Sequence, residues 1–241
     1  MQEINGHWTL CGIDWKDEGC LHSADELAAL VEQVGFLPLF TCEIPGFSVE
    51  EHTDPTFWWS DKPKKDPWNW RTVIARDGKI AYGKFFDKKA GFISKKWFPY
   101  FANLRRDGYD FDALWDDGKA TLRQKKIMDC FDEKTRLFSF ELKEQSGFGK
   151  GGEKGFEGTL AGLQMQSYLC MRDFAKRKNK QGKEYGWDVA IYAMPEQFFG
   201  YKHVTKAYGE TPEEYYQRIA KQIRKEFGDV EEKVIRKLIM G

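Results

Sequence analysis

Two clusters of lysine and arginine have the types and spacing to do chemistry, and that chemistry is the capture of phosphate. Lys84, Lys88, Lys89, Lys95 and Lys96 crowd one stretch, with Arg105 and Arg106 after them. Arg172, Lys176, Arg177, Lys178, Lys180 and Lys183 crowd another, against Asp173 and Glu184. Long cations grouped this way contact nucleic-acid phosphates and make binding salt-dependent. Basic hairpin tips also serve solubility and edge protection. The whole chain is neutral, with 38 basic and 38 acidic side chains in 241 residues. A basic face must therefore come from distribution, and the acids do concentrate elsewhere, at 107–117 and 210–214. A second kind of candidate is aromatic. Trp58, Trp59, Trp70 and Arg71 lie in a loop punctuated by Pro55, Pro63 and Pro67. Rings beside an arginine stack an unpaired base or a planar ligand. The competing role for the same rings is to fill a core with few aliphatics. A third candidate is the glycine-rich stretch 148–155, which carries Lys150 and Lys154. It lacks the spacing of a nucleotide phosphate loop, but glycine amides before a helix bind a single backbone phosphate. Its plain alternative is a flexible turn.

Other chemistries find little support. Asp110 with Asp112, Asp116 with Asp117 and Glu50 with Glu51 are paired carboxylates, but spacing alone gives no shared pocket in which one is raised and one ionised. His7, His22, His52 and His203 lie far apart without metal-ligand spacing, so no metal is expected; the nearest grouping is His52 with Glu50, Glu51 and Asp54. Cys11, Cys20, Cys42, Cys130 and Cys170 are odd in number and scattered, and read as reduced, mostly buried thiols of a cytoplasmic protein. No residue pattern calls for a cofactor. No apolar run approaches the ~20 residues of a membrane helix. Met1 to Gly6 carries no basic start followed by an apolar stretch, so no secretory signal is expected. With 19 Phe, 10 Tyr and 9 Trp the chain has ample burial for a folded core.

The elements that must position these residues follow from caps and periodicity. Ser23 with Glu26 forms a capping box for a helix over 23–34, ended by Gly35. Asp66 and Pro67 open a helix over 68–76. A strand over 79–86, a turn over 87–91 and a return over 92–97 form a hairpin. After an acidic, turn-rich linker at 108–118, the order recurs. Helices are expected over 120–131, from Ser139, and over 154–163. A strand over 166–175, a basic turn over 176–186 and a strand over 187–193 follow. Thr211 to Glu214 caps a helix with Tyr215, Ile219, Ile223 and Phe227 on one face, and a last helix spans about 230–239. Three short helices followed by a two-stranded wing is the winged-helix pattern. The expected fold is therefore α+β: a winged-helix-like unit at 1–107, a second at 119–200, and a C-terminal helical segment at 201–241.

The stretch from Phe156 to Phe199, with its return Gly186-Trp187-Asp188-Val189-Ala190-Ile191-Tyr192-Ala193-Met194-Pro195-Glu196, resembles the winged-helix DNA glycosylases of the AlkZ/YcaQ type. Residues 35–40, 66–71, 81–86 and 105–112 resemble a bacterial AlkZ-related family over nearly the whole chain. The glycosylases use a Gln-x-Gln or Gln-x-Asp motif to place water at the sugar. The resemblance therefore singles out Gln164 and Gln166 as catalytic candidates. In the family the motif lies near the start of the fold, whereas here the pair precedes a wing, so a solvated helix-to-strand junction is the favoured reading.

These readings converge on a DNA-binding winged-helix protein, associated with DNA repair by resemblance and without demonstrated catalysis. Lys84, Lys88, Lys89, Lys95, Lys96, Lys150, Lys154, Arg172, Lys176, Arg177 and Lys178 are its expected phosphate contacts. The alternatives are a divergent glycosylase acting through Gln164 or Gln166, and a small-ligand or protein-binding module centred on the loop 57–71.

Overall fold

In the computed structural model, which describes residues 2–4 and 7–241, helix α1 (Ala24–Val34) begins where the sequence expects. The Ser23 hydroxyl accepts the Glu26 amide hydrogen, and Gly35 ends the helix at a φ of 98°. Leu27, Val31 and Val34 turn inward. A short hairpin of β1 (Gln2–Ile4) and β2 (His7–Thr9) precedes α1. The reading of Met1 to Gly6 as lacking a signal falls partly outside the described residues. After α1 come β3 (Phe36–Pro38), two single turns of 3-10 helix and α2 (Pro67–Asp77). Asp66 caps α2 by accepting the Trp68 N–H, with Pro67 in the first turn.

Strands β4 (Ile80–Phe86) and β5 (Lys89–Ser94) form the first hairpin. Its turn is only Asp87 and Lys88, both left-handed at φ 47° and 60°, the geometry that closes a two-residue hairpin. The expected turn over 87–91 is thus too long. Gly83 and Gly91 face each other across the pair, and a Cβ on Gly91 would sit 2.5 Å from the Phe86 ring. The missing side chains leave room for Phe85 and Phe86, both fully buried.

The second half repeats the order. After α3 (Phe98–Arg106) and α4 (Phe111–Asp116) come α5 (Leu122–Met128), β6 (Leu137–Phe138), α6 (Ser139–Gln145) and α7 (Phe156–Met165). Strands β7 (Cys170–Lys178) and β8 (Glu184–Ala193) follow. In each half a lone strand between helices pairs with the second strand of the hairpin: β3 with β5, β6 with β8. The hairpins meet at β4 and β7, where Tyr82 pairs with Met171. The result is one antiparallel six-stranded sheet in the palindromic order β3-β5-β4-β7-β8-β6. Helix α2 packs on β7 as well as β4, and α7 packs on β4.

The two expected units therefore share one sheet, and one continuous buried cluster runs from Leu27 to Ile239. The stretch 108–118 holds α4, capped by Asp110, with Phe111 and Leu114 buried. The hydrophobic pair, lost among acids and glycines in the sequence, ties it to the body. Strand β7 starts at Cys170, not at 166, because Ser167 takes a left-handed φ of 65° and turns the chain after α7. The basic turn shrinks to 179–183, and the strands on either side project past the sheet.

Short helices α8 (Glu196–Phe199) and α9 (Tyr201–Val204) lead to α10 (Pro212–Phe227) and α11 (Glu232–Met240). Glu214 accepts hydrogen bonds from the Thr211 backbone and hydroxyl, as the capping box requires. Tyr215, Ile219 and Ile223 are buried, and Phe227 packs against Phe47. Among the described residues no helix is long and apolar enough to cross a membrane. The cysteines are all free, and of the five only Cys20 and Cys170 are buried.

Candidate nucleic-acid interface

The β7–β8 hairpin loses its packing partners beyond Ala175 and Val189, since β6 reaches only Tyr192 and Ile191 of β8. Its tip is closed by hydrogen bonds of its own. The Asn179 side-chain oxygen accepts the Gln181 and Lys183 amides at 2.9 Å each, and Gly182 takes a left-handed φ of 78°. Lys176, Arg177, Lys178, Lys180 and Lys183 are all exposed. Among the described residues none of the five enters an ion pair, so the tip carries a net positive field against Glu184 and Asp188. Tyr185 and Trp187 also stand out from it; Trp187 is 92% exposed.

Arg177 links this tip to a second feature. Its guanidinium lies 4.4 Å over the Phe140 ring of α6. Phe140 lines an open cleft of about 950 Å³ between α6 and the glycine-rich loop. Lys143, Lys150 and Lys154 line it together with Glu144, Glu153 and the first turn of α7, which carries Glu157. Helix α7 has Gly155 as its N-cap, at φ 95°, with no side chain capping the first turn. Its first turn lines the cleft, and a helix start without a side-chain cap attracts an anionic oxygen. Of the acids in the cleft, Glu153 is held by Arg123 at 2.8 Å and Lys126 at 2.9 Å, which keep its carboxyl below the usual range.

The first hairpin is a different object. The Asp87 amide donates to the Leu238 carbonyl of α11, and the Lys88 amide points at the Met165 sulfur of α7. This tip rests on the body instead of projecting. Lys88 and Lys89 are exposed at one end of β5, Lys95 and Lys96 beyond the other, so these lysines form no single patch. Lys84 is half-buried.

Arg172 does not face outward. It is 8% exposed, bonds the Ala75 carbonyl at the end of α2, and closes over Gly78. Burial holds its guanidinium below the usual range. The sequence spacing put Arg172 beside Lys176, but a bulge between Met171 and Asp173 alters the alternation along β7.

The two glutamines are not paired on one strand. Gln164 is buried on α7, where its amide donates to the Leu160 carbonyl and accepts the Lys84 N–H of β4 at 3.1 Å. Gln166 lies in the turn after α7 and accepts from the Gln124 amide at 2.7 Å. Gln164→Leu leaves the Lys84 N–H without its partner. The expected loss of stability is about 1–3 kcal/mol by urea denaturation, with duplex affinity unchanged.

The aromatic candidates divide. Trp58 is buried and donates to the Thr53 hydroxyl at 3.0 Å. Trp70 is buried and donates to the Lys64 carbonyl at 2.8 Å. Trp59 stays exposed, next to Trp68, with ring centroids 5.9 Å apart. Arg71 is buried with its guanidinium 3.8 Å from both the Trp68 and Phe174 rings. The grouping around His52 serves loop geometry: Glu51 accepts from Ser48 and Gly46, Asp54 from Trp15 and Thr56, and the His52 ring meets the Gly46 carbonyl.

Sequence reading sets Arg105 and Arg106 beside the basic cluster and gives Lys143 no role; the structure places all three differently. Arg106 and Glu196 form an ion pair at 2.5 Å, with the Arg106 side chain 1% exposed. Arg105 is half-buried without a carboxylate, donating to the Phe85 and Ile239 carbonyls and the Ser167 hydroxyl, and desolvation lowers its proton affinity. Lys143 belongs to the cleft. A cation in an isolated helix turn looks the same whether it faces water or core, so spacing cannot sort Arg105 and Arg106 from Lys143.

The site and sheet define a mixed α+β protein whose palindromic antiparallel sheet projects one basic hairpin beside an uncapped helix start. The chain belongs to the AlkZ-related family, whose profile matches residues 21–240. Among solved structures it is similar to the DNA glycosylase AlkZ of Streptomyces sahachiroi, with a TM-score of 0.46 and 13% identity. That match covers 90% of this chain and 59% of the glycosylase, so the chain spans well under two thirds of that protein's length. Among curated proteins none matches the chain in sequence.

Proposed function

We propose that the protein binds duplex DNA through the β7–β8 hairpin and the cleft at the start of α7. Each half is read as a winged helix, at 1–107 and 119–200, joined through 108–118 and followed by helices over 201–241. The order α1-β3-α2-β4-β5, matched by α5-β6-α6-α7-β7-β8, supports that reading, with the lone strand paired to the hairpin in both halves. In this architecture α7 takes the place of a recognition helix and the β7–β8 hairpin that of its wing. The observation that carries the proposal is the set of five exposed, unpaired cations on that hairpin, joined by Arg177 and Phe140 to the uncapped start of α7. Membership of the AlkZ-related family supports DNA repair as the setting. Gln164 and Gln166 are engaged within the protein, which favours binding without base hydrolysis.

Fluorescence anisotropy with a short labelled duplex tests the proposal. Saturable binding at low salt that weakens at moderate salt is expected. Absence of binding at low salt would contradict it. Base release from an alkylated or crosslinked duplex, lost in Gln166→Ala, would favour the glycosylase reading instead.

A further inference from the structure

Arg71 is the buried cation that the fold leaves unanswered. It is 5% exposed. Among the described residues its guanidinium makes neither a hydrogen bond nor an ion pair, and its Nε is fully buried without a partner. Buried charges in proteins are ordinarily paired and hydrogen-bonded. Burial lowers its affinity for its proton, with Tyr82, Asp188 and Asp66 opposing that shift. Asp66 is occupied by the amides of Trp59 and Trp68 and by Asn69. Asp188 stands on the exposed flank of β8.

The surroundings decide what can answer that charge. The Trp68 and Phe174 ring centroids each lie 3.8 Å from the guanidinium carbon. The edge of a guanidinium matches two oxygens of a phosphate or carboxylate. Trp68 in turn touches Trp59, which is 52% exposed. Trp59 holds a left-handed φ of 56° while its N–H donates to Asp66 at 3.1 Å. A bulky residue rarely adopts that conformation. The half-exposed Trp59 ring is thus the outer member of a chain of contacts through Trp68 and Arg71 to Phe174.

We infer that Arg71 and Trp59 together take a nucleotide that is not paired in a duplex. Its phosphate lies on the Arg71 edge and its base stacks on Trp59. Base stacking on an exposed aromatic with a cation for the backbone is how single strands are held without sequence preference. The inference rests on the DNA-binding reading. It adds to it a second contact, on the first half, with a different substrate feature. A carboxylate ligand would satisfy Arg71 equally but gives Trp59 nothing to stack.

The test compares one labelled duplex with blunt ends and the same duplex bearing a short thymidine overhang. The protein is expected to bind the overhang form about tenfold more tightly. Trp59→Ala and Arg71→Met should each bring the overhang form down to the blunt affinity and leave blunt binding unchanged. Methionine keeps apolar volume between the two rings while removing the charge. A 2-aminopurine in the overhang gives a readout on the unaltered protein, since stacking on Trp59 quenches it. Equal affinity for both forms without quenching overturns this inference and leaves duplex binding standing. Variants that weaken both forms alike overturn it too. Failure to bind either form overturns the DNA-binding reading itself.

Discussion

Glu196→Ala is expected to lower stability by about 3–5 kcal/mol, the range for stripping one partner from a buried ion pair. Glu196 answers Arg106, whose side chain is 1% exposed and which also contacts the Ser167 carbonyl and Tyr208 hydroxyl. Burial alone would lower the Arg106 proton affinity. The Glu196 carboxylate and Tyr208 more than offset that and hold it above the usual range. Without Glu196 the guanidinium keeps its desolvation and loses its countercharge. The pair also joins α3 to α8, elements far apart in sequence, so the loss should act on the global transition. A fall in midpoint of about 6–20 °C follows for a chain of this size, read by circular dichroism. The double substitution Arg106→Met with Glu196→Leu should recover most of the loss, because an apolar pair of similar volume removes the desolvation as well. If Glu196→Ala melts within about 1 °C of the parent, the pair is not doing this.

The second large effect separates binding from folding. Lys176, Arg177, Lys178, Lys180 and Lys183 changed together to Ser should weaken duplex binding roughly 100-fold at low salt. Stability should stay within about 0.5 kcal/mol, since all five are exposed and unpaired. Arg172→Ser should do the reverse. Its guanidinium bonds the Ala75 carbonyl and fills the space over Gly78, so its loss should destabilise the junction of α2 and β7 while duplex affinity changes little. Equal loss of affinity in the two variants would mean that the basic hairpin is not the contact.

Local signals in the sequence carried the elements well. Ser23 with Glu26, Asp66 with Pro67, and Thr211 with Glu214 mark helix starts because each places an acceptor over free amides, and all three appear as caps. Both hairpins follow from alternation. What local pattern cannot carry is the join. The pairing of Tyr82 with Met171 links strands some ninety residues apart and turns two expected units into one sheet. The same join decides the fate of cations: Arg172 is covered because α2 packs across β7, whereas Lys176 and Lys178, a few residues on, run past the sheet into solvent. For the aromatic loop, residue type predicted stacking without saying which rings stay free. Trp58 and Trp70 fill the core, whereas Trp59, at a left-handed φ of 56°, stays half-exposed.

The most direct measurement is the slope of log affinity against log salt for a short blunt duplex, taken on the parent and the five-Ser hairpin variant side by side. The five hairpin cations should contribute about −4.5 to the parent slope, roughly 500-fold of affinity between 50 and 200 mM salt. The variant's slope should be shallower by about that amount, keeping only what the cleft at the start of α7 contributes. Parallel slopes, or a parent whose affinity ignores salt, would contradict the assignment of DNA binding to this hairpin.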